Sequence, residues 1–435
     1  MLNPVMQPEP NQLFSRFALS KHKSVIAAVS GGGDSLALLI LLKRFLDDLQ
    51  AAPLLTAVTV DHGLRPEAAA EARFVADLCR SHGVAHRTMV WRGQKPVSGI
   101  SAAARTARLA LLAEAAGDLG AGIVFTGHTR DDQAETVFMR ASRGVGRGVA
   151  GIAPATLYNG ATWFVRPLLP LRREALRAFL TAGGVSWLDD PSNDNTAYER
   201  VRARRGLSDL SVEALACRAD AAADERVMLG ARAAALIEAH LHRVAPGLYR
   251  VAEDLFAAED RVAALYAFRV IAAMAGGAGQ FAGVAAADKA FAALQGGVCA
   301  TLSRAVFDVR RSGVHVHRER RNLPVRDMDG SLALWDGRYW VGTEAGTRIA
   351  AFGRQARAVP SDVAASLPQD LVFAGQSTEP AVWQGNRLLG AARDPAGAPG
   401  LRVPAPWARL LPSFDIAPAN ALIRATGGKI AVATP

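Results

Sequence analysis

The chain has 435 residues, half of them hydrophobic and 21% charged, which is enough apolar material for two or three soluble domains of ordinary size. Apolar runs such as Leu36–Leu42 are far shorter than the roughly 20 residues of a membrane helix, and residues 1–20 do not have the pattern of a secretory signal. The formal charge of +10 suits a polyanionic partner, because lysines and arginines replace the counter-ions of phosphates, although an arginine-rich proteome would give the same charge.

Residues 1–190 alternate between short apolar runs and amphipathic stretches. The apolar runs predict strands at Val25–Val29, Leu54–Val60, His86–Trp91, Ile123–Thr126 and Thr162–Val165. The amphipathic stretches predict helices at Leu36–Leu49, Glu67–His82, Ser101–Leu119, Asp131–Ser142 and Arg172–Thr181. Strands that alternate with helices form right-handed crossovers, so the sequence predicts a doubly wound, mostly parallel α/β sheet covered on both faces.

The composition changes after about Leu207. Alanine-rich segments predict helices at Val212–Ala223, Arg226–His242 and Arg261–Ala275, and a glycine-rich break follows at residues 276–279. Beyond Thr301 the chain contains short strand-like pieces, such as Leu332–Val341. We therefore predict three domains: an α/β domain over residues 1–205, a helical domain over 206–300 and a basic, β-containing region over 301–435.

The sharpest motif is the hexapeptide SGGGDS at residues 30–35, between the first predicted strand and helix. Its glycines permit a tight turn, and the positive end of the following helix attracts anions. An acid beside a phosphate repels it unless a divalent cation bridges the two, so Asp34 indicates Mg²⁺. The alternative is an ordinary glycine-rich turn with a helix cap. The motif has neither the Walker A lysine nor the glycine spacing of a dinucleotide fold.

Two further motifs follow, one at the carboxyl end of the second strand, where the ligands of such a sheet bind, and one on the third helix. The first is DHGLR at Asp61–Arg65, whose plain alternative is a strand-ending turn. The second is AARTAR at Ala103–Arg108, which places Arg105 and Arg108 on one helix face. Paired guanidinium groups suit phosphate binding, but a solvated helix face would look the same.

The segment TGHTRDDQAET at residues 126–136 follows the fourth strand and begins a helix. Acids in a first helical turn are favourable to the dipole, so capping is one explanation of Asp131 and Asp132. The functional explanation is that Asp132 lies near Asp34 and shares Mg²⁺ with it. His128 ends the strand, where it can contact a reacting phosphate or base.

Several arginine-rich elements follow: a glycine-rich loop at Arg143–Gly151, RPLL at Arg166–Leu169, DDPSN at Asp189–Asn193 and YERVRARR at Tyr198–Arg205. A disordered linker or a basic surface helix is the alternative for the first and last of these. Their arginines and tyrosine are suited to pairing with and stacking on RNA. The predicted RNA-binding residues are Arg143, Arg147, Tyr198, Arg200, Arg202 and Arg204.

In this order, the motifs of residues 21–205 resemble those of the tRNA(Ile)-lysidine synthetases, a family of PP-loop ATP pyrophosphatases. Thr129, Leu109 and Val201 depart from the family pattern, which leaves the effect of those three positions open. The resemblance implies a cytoplasmic, ATP- and Mg²⁺-dependent ligase. The implied phosphate-binding residues are Ser30, Gly31, Gly32, Gly33, Asp34 and Ser35; the implied catalytic residues are Asp34, Arg105, His128 and Asp132, with Asp34 and Asp132 as Mg²⁺ ligands.

The family reaction implied by the resemblance joins free L-lysine to C2 of the wobble cytidine of a CAU-anticodon tRNA(Ile). ATP first adenylates the 2-oxygen of that cytosine, and the lysine amine then displaces AMP. The helical domain and the C-terminal region would bind the tRNA. The way in which they do so, the lysine-binding residues and the oligomeric state stay open, with a homodimer as one possibility.

Three alternatives remain from the sequence. A tRNA thiolase with the same loop would need cysteine pairs, whereas Cys79, Cys217 and Cys299 are far apart. Amide-forming synthetases share the loop but not the motifs around it, and no glutaminase domain is visible. A non-catalytic RNA-binding protein with a decayed nucleotide site would not be expected to keep residues 30–35 and both Asp131 and Asp132 intact.

Overall fold

The computed structural model describes residues 8–64, 67–141, 144, 146–189, 199–358, 367–392, 401–427 and 432–435. The chain forms two compact units, one of Met1–Arg226 with Thr434–Pro435 and the other of Val227–Ala433. The division into three domains after residues 205 and 300 stays a prediction.

The first unit alternates strands and helices. Its strands are β1 (Ser24–Ala28), β2 (Leu54–Asp61), β3 (Ala85–Val90), β4 (Ile123–Thr126), β5 (Ala155–Tyr158) and β6 (Thr162–Val165). Its helices are α1 (Pro10–Phe14), α2 (Gly33–Asp47), α3 (Ala68–Ser81), α4 (Ile100–Asp118), α5 (Arg130–Ala141), α6 (Arg173–Ala182) and α7 (Glu199–Arg205), and α8 (Asp209–His240) contains the division between the units.

The strands of the first unit pair in the order β5-β6-β4-β1-β2-β3. All of these pairs are parallel except β5 with β6, which is antiparallel. Every residue of β1 is buried, as expected for a parallel strand covered on both faces. The predicted doubly wound α/β fold is therefore confirmed. The strand order reverses between β1 and β4, so their carboxyl ends border the crevice in which such sheets bind ligands.

The predicted elements of the first unit agree with the structure to within three residues at each end, but α1 and β5 were not predicted, and α7 only as the alternative of a basic surface helix. The two helices predicted at Val212–Ala223 and Arg226–His242 form the single helix α8, which contains the division between the units. Residues 224 and 225 are acidic and compatible with a helix, so nothing interrupts it there. The predicted glycine break is present: Gly277, with φ of 64°, ends the helix at Arg261–Gly276.

The second unit contains more strands than the sequence predicts, including two in the region predicted to be helical. Its helices are α9 (Arg261–Gly276), α10 (Val284–Gln295), α11 (Gln369–Gln376) and α12 (Ile416–Thr426). Its strands are β7 (Leu241–Ala245), β8 (Leu248–Val251), β9 (Ala300–Leu302), β10 (Ala305–Arg310), β11 (Gly313–Arg318), β12 (Arg326–Asp327), β13 (Ala333–Trp335), β14 (Tyr339–Val341), β15 (Arg348–Ala351), β16 (Pro380–Gln384), β17 (Arg387–Ala391), β18 (Leu401–Arg402) and β19 (Leu410–Pro412).

Antiparallel pairing joins the strands of the second unit into the orders β7-β8-β11-β10-β9, β12-β15-β16-β17 and β13-β14-β18. A buried ion-pair network lies among them. Asp336 accepts hydrogen bonds from Arg318 Nε at 3.1 Å and from Arg338 Nε at 2.8 Å, and all three side chains are almost completely buried. These pairs satisfy charges that would otherwise be costly inside the unit.

Candidate active site

The turn between β1 and α2 is closed by its own serines. The Ser30 backbone N–H donates to Ser35 Oγ at 3.1 Å, and this hydroxyl donates to the Gly32 carbonyl at 2.8 Å. Gly31 has φ of 88°, a conformation that favours glycine. Among the described residues no side chain caps α2 at Gly32. The first N–H groups and the positive end of the helix are therefore available to an anion.

One wall of the turn is a segment that the sequence analysis did not select. The Leu188 N–H donates to the Gly31 carbonyl at 3.0 Å, and a β-carbon on Gly33 would lie 3.5 Å from the Trp187 ring. Arg177 donates to Asp189 at 3.1 Å, which connects this segment to α6. The predicted motif Asp189–Asn193 begins here, although its residues 190–193 lie outside the described residues.

Three carboxylates from α2 and α5 meet one guanidinium group beside the turn. Arg173, the first residue of α6, donates to Asp34 at 3.1 Å, to Asp132 at 3.0 Å and to Glu135 at 3.4 Å. Burial raises the pKa of Asp34 to about 6 against the opposing effect of Arg173, and the nearby Asp132 adds to the rise. The structure thus brings Asp34 and Asp132 together, as the sequence predicts, with Arg173 between them.

Two of the predicted RNA-binding arginines lie in the same cluster. Arg200 donates to Asp132 at 2.8 Å and to Glu135 at 2.7 Å, and Arg204 donates to Glu135 at 2.8 Å. The Glu135 side chain is only 2% exposed, so these arginines supply the charge that allows it to be buried. Arg202 lies between them in sequence and is exposed. An RNA-binding role for the three arginines stays a prediction.

Asp131 positions α6. Its carboxylate accepts the Arg173 backbone N–H at 2.8 Å and two side-chain hydrogen bonds from Arg172, each of 3.3 Å. Burial alone would raise the pKa of Asp131, but these donors outweigh it and lower the pKa. Asp131 therefore holds Arg173 in place through the start of α6, and Asp132 is the acid of this pair that lines the pocket.

His128 lies in the pocket at the end of β4. Burial, together with the positive charges of Arg166 and Arg108, lowers its pKa well below 6.5, so the ring is neutral at physiological pH. The Thr126 hydroxyl donates to the Val165 carbonyl at 3.2 Å and lies 3.1 Å from His128 Nδ1. A hydroxyl has one proton, so it accepts the Nδ1–H and leaves a lone pair on Nε2.

The two arginines of α4 have different surroundings. Arg108 lines the pocket, whereas Arg105, which the sequence analysis chose as catalytic, is exposed and does not line it. Partial desolvation by its neighbours and then the charge of Arg200 lower the pKa of Arg105, so Arg105 lies near Arg200. The structure therefore places Arg108 at the pocket and Arg105 beside it.

Two cavities meet at the turn. The larger, of about 620 Å³, lies over the carboxyl ends of β1 and β2 and is lined mainly by apolar groups, with His62 and Arg108 among its polar residues. The smaller, of about 310 Å³, contains the acid and arginine cluster, His128 and the turn itself. Together they form an apolar compartment that leads into a charged one.

The glycine-rich loop is tied to α5. Arg140 donates to the carbonyls of Gly148 and Gly151 at 3.0 and 2.8 Å, and Gln133 accepts the Ile152 N–H at 2.6 Å. The described residues of the loop include a short 3₁₀ helix at Arg147–Ala150. The predicted RNA-binding residues Arg143 and Tyr198 lie outside the described residues.

Comparison with known proteins shows the family of the chain. Residues 2–210 match the family described as the PP-loop domain. The tRNA(Ile)-lysidine synthase of Mesorhizobium japonicum is 43% identical over 99% of this chain and 98% of its own length. That of Brucella melitensis is 38% identical over 95% of this chain and 96% of its own. The chain belongs to the tRNA(Ile)-lysidine synthase family.

Similarity to solved structures is much lower. A U34-tRNA thiolase from Methanococcus maripaludis shares 15% identity and a TM-score of 0.42 over 48% of this chain and 77% of its own. Within the described residues, no helix combines the length and apolar character that crossing a bilayer requires.

Sequence reasoning missed three parts of the site: Arg173, Glu135 and the wall at Trp187–Leu188. A signal for Arg173 was available, since two arginines at the start of a helix oppose its dipole and therefore suggest acidic partners. Glu135 belongs to the motif at residues 126–136, but the sequence analysis did not predict that it pairs with arginines. Nothing in the sequence around Trp187 indicates that it packs against the phosphate turn.

Proposed function

We propose that this chain uses ATP to join free L-lysine to C2 of the wobble cytidine in a CAU-anticodon tRNA(Ile), in the cytoplasm. The observation that carries the proposal is the intact phosphate turn facing Asp34, Asp132 and His128, in a chain that aligns with lysidine synthases over nearly its whole length. The reaction class is ATP-dependent ligation, with AMP and pyrophosphate as products.

The shape of the site suggests how ATP lies in it. A cavity of about 620 Å³ is large enough for a nucleoside, and its apolar lining suits the faces of a purine ring. The His62 Nδ1 atom in this cavity is buried without a hydrogen-bond partner among the described residues, so it offers a polar contact to the base or ribose. The pyrophosphate end would then lie in the turn, on the free N–H groups of α2.

Asp34 and Asp132 have the chemistry of a magnesium site. Both carboxylates bind the guanidinium group of Arg173, so they lie close together, and a shared cation would take the place of that group between them. Within the described part of the chain, no cluster of three histidine, cysteine or acidic side chains would hold a metal by itself. Mg²⁺ is commonly bound by one or two carboxylates together with phosphates and water, which fits this arrangement. When bound, it would neutralise charge on the departing pyrophosphate.

Two transfers follow from these positions. In the first, the cytosine 2-oxygen bonds to the α-phosphorus while the bond to pyrophosphate breaks, and the turn binds the leaving group. In the second, the ε-amine of lysine bonds to C2, the C2–O bond breaks and AMP leaves. The amine must lose a proton, and the lone pair on His128 Nε2 can accept it.

A thiolase is not favoured by the cysteines. Cys79 is buried, and burial raises the pKa of its thiol to about 11, so it is a poor nucleophile. Cys217 and Cys299 are exposed, and both are free. The chain thus does not offer the paired thiolates that sulfur transfer or an iron–sulfur cluster would require.

The test is incubation of the protein with ATP, Mg²⁺, radiolabelled lysine and a CAU-anticodon tRNA(Ile) transcript. We expect lysine label in the RNA, none with Asp34→Ala, and full labelling with Asp47→Ala, whose carboxylate is exposed and pairs with Lys43 on α2. Label from sulfide instead of lysine would indicate a thiolase. Absence of ATP–pyrophosphate exchange with tRNA present would indicate a binding protein without activity.

A further inference from the structure

The two cavities of the first unit share four lining residues: Ser30, Gly32, Arg108 and Leu188. These residues therefore mark the junction of the apolar and charged compartments. If the nucleoside occupies the first compartment and pyrophosphate the second, the phosphate that connects them lies at this junction. That phosphate is the α-phosphate, on which both bond changes of the proposed reaction depend.

Arg108 is the one charged side chain among these four shared residues. It extends from α4 and makes no ion pair with a carboxylate of the described residues, and its neighbour Arg105 is also cationic. Burial and then the charge of Arg105 lower the pKa of Arg108. The Arg108 side chain is half-buried, so its unpaired guanidinium group is partly desolvated, and an anion held against it offsets that cost.

The acids of the site are already paired with other arginines. Asp34 and Asp132 bind Arg173, and Asp132 also binds Arg200. Arg177 and Arg204 pair with Asp189 and Glu135, so among the described arginines that line the charged cavity Arg108 is the one without a carboxylate partner. An arginine presents several donors in one plane, which match the non-bridging oxygens of a phosphate.

We propose that Arg108 is a further catalytic residue, which binds a non-bridging oxygen of the α-phosphate of ATP. In the first transfer it stabilises the charge on this phosphate as the cytosine oxygen bonds to phosphorus and pyrophosphate leaves. In the second it stabilises the same phosphate as it departs in AMP. The role in transfer rests on the proposed function, whereas the contact with the α-phosphate does not.

A binding cycle tests the contact without any turnover. Affinities of AMP and adenosine are measured by calorimetry for the wild type, Arg108→Ala and Arg108→Lys. We expect Arg108→Ala to weaken AMP binding by about tenfold or more, the size of one charge-assisted hydrogen bond, and to change adenosine binding by less than about twofold. The AMP affinity of Arg108→Lys should lie between those of the wild type and Arg108→Ala, because lysine keeps the charge but lacks the planar donors.

The matched control is Arg80→Ala, which removes an exposed arginine that pairs with the exposed Asp77 on its own helix. This variant should bind both ligands as the wild type does. Circular dichroism and thermal unfolding establish that each variant is folded. Equal weakening of AMP and adenosine, or no change in either, in folded Arg108→Ala and Arg108→Lys would overturn the proposal.

A second measurement separates this inference from the proposed function. The two diastereomers of ATP with sulfur on the α-phosphate are compared in lysine labelling of tRNA. The wild type should prefer one diastereomer, and Arg108→Ala should lose most of that preference. If Arg108→Ala prefers the same diastereomer as strongly as the wild type does, Arg108 does not contact the α-phosphate. If the wild type does not label tRNA at all, the proposed function fails, while the AMP and adenosine cycle still decides the role of Arg108.

Discussion

Gly127 lies directly against the backbone of Asp34, so that a β-carbon on Gly127 would be 2.8 Å from the Asp34 carbonyl oxygen. This close approach brings the end of β4 to the start of α2, beside the glycine-rich turn. Gly127→Ala should therefore push the two elements apart. We expect a loss of about 1–3 kcal/mol in the free energy of unfolding, typical of overpacking, and weaker ATP binding.

Urea unfolding and ATP titration measure both effects. Gly122→Ala is the control, since Gly122 lies just before β4 and nothing is within 4 Å of an added β-carbon there. Equal stability and equal ATP affinity of the two variants would show that the packing at Gly127 has no influence on the site.

Glu135 should be the most important acid for the stability of the first unit. Its buried carboxylate accepts hydrogen bonds from Arg173, Arg200 and Arg204. Glu135→Gln removes the charge and leaves three arginines competing for Asp34 and Asp132, so we expect a loss of about 3 kcal/mol in the free energy of unfolding.

Chemical denaturation of Glu135→Gln and of Asp77→Asn provides the comparison. Asp77 pairs with Arg80 on the surface, where both side chains are largely exposed, so its loss should cost less than about 1 kcal/mol. If Glu135→Gln and Asp77→Asn lose the same small free energy of unfolding, Glu135 does not hold the arginine cluster together.

Asp34→Asn and Asp132→Asn should each reduce the effect of Mg²⁺ on ATP binding. Each variant removes one of the two carboxylates that would hold the cation, so we expect about tenfold or more loss of Mg²⁺-dependent affinity. The measurement is ATP titration across a range of Mg²⁺ concentrations, with Asp47→Asn as the exposed control on α2. If ATP affinity depends on Mg²⁺ as strongly in Asp34→Asn and Asp132→Asn as in the wild type, the metal binds elsewhere.

The neutral state of His128 should be visible in the pH dependence of stability. Its pKa in the folded chain is lowered well below 6.5, chiefly by burial. As pH falls below about 6.5, the unfolded chain binds a proton that the folded chain excludes, so folding is disfavoured. His128→Gln removes this difference. We expect the wild type to lose more stability than His128→Gln between pH 7 and pH 5, by on the order of 1 kcal/mol.

Urea unfolding at both pH values gives this difference directly, because the other buried histidines are present in both proteins and their contributions cancel. An identical loss in the two proteins would mean that His128 is protonated in the folded state as readily as in the unfolded state.

The sequence by itself determined the fold class, the glycine-rich turn at residues 30–35 and most of the strands and helices of the first unit. These depend on local properties: a short apolar run bounded by turn residues indicates a buried strand, and a glycine-rich turn before a helix places free N–H groups where an anion can bind. The motif at residues 126–136 likewise indicated that Asp132 would come near Asp34, because the ends of parallel strands meet at one edge of the sheet.

Only the tertiary structure decided which arginine forms an ion pair with which carboxylate. Arg173 lies between Asp34 and Asp132, and Arg200 turns inward to Asp132 and Glu135, over sequence separations of 41 to 139 residues. On α4, periodicity places both arginines on one face, yet only the packing of that helix against the sheet shows that Arg108 reaches the pocket. Charge pairing and burial depend on distances between elements, and sequence spacing does not contain them.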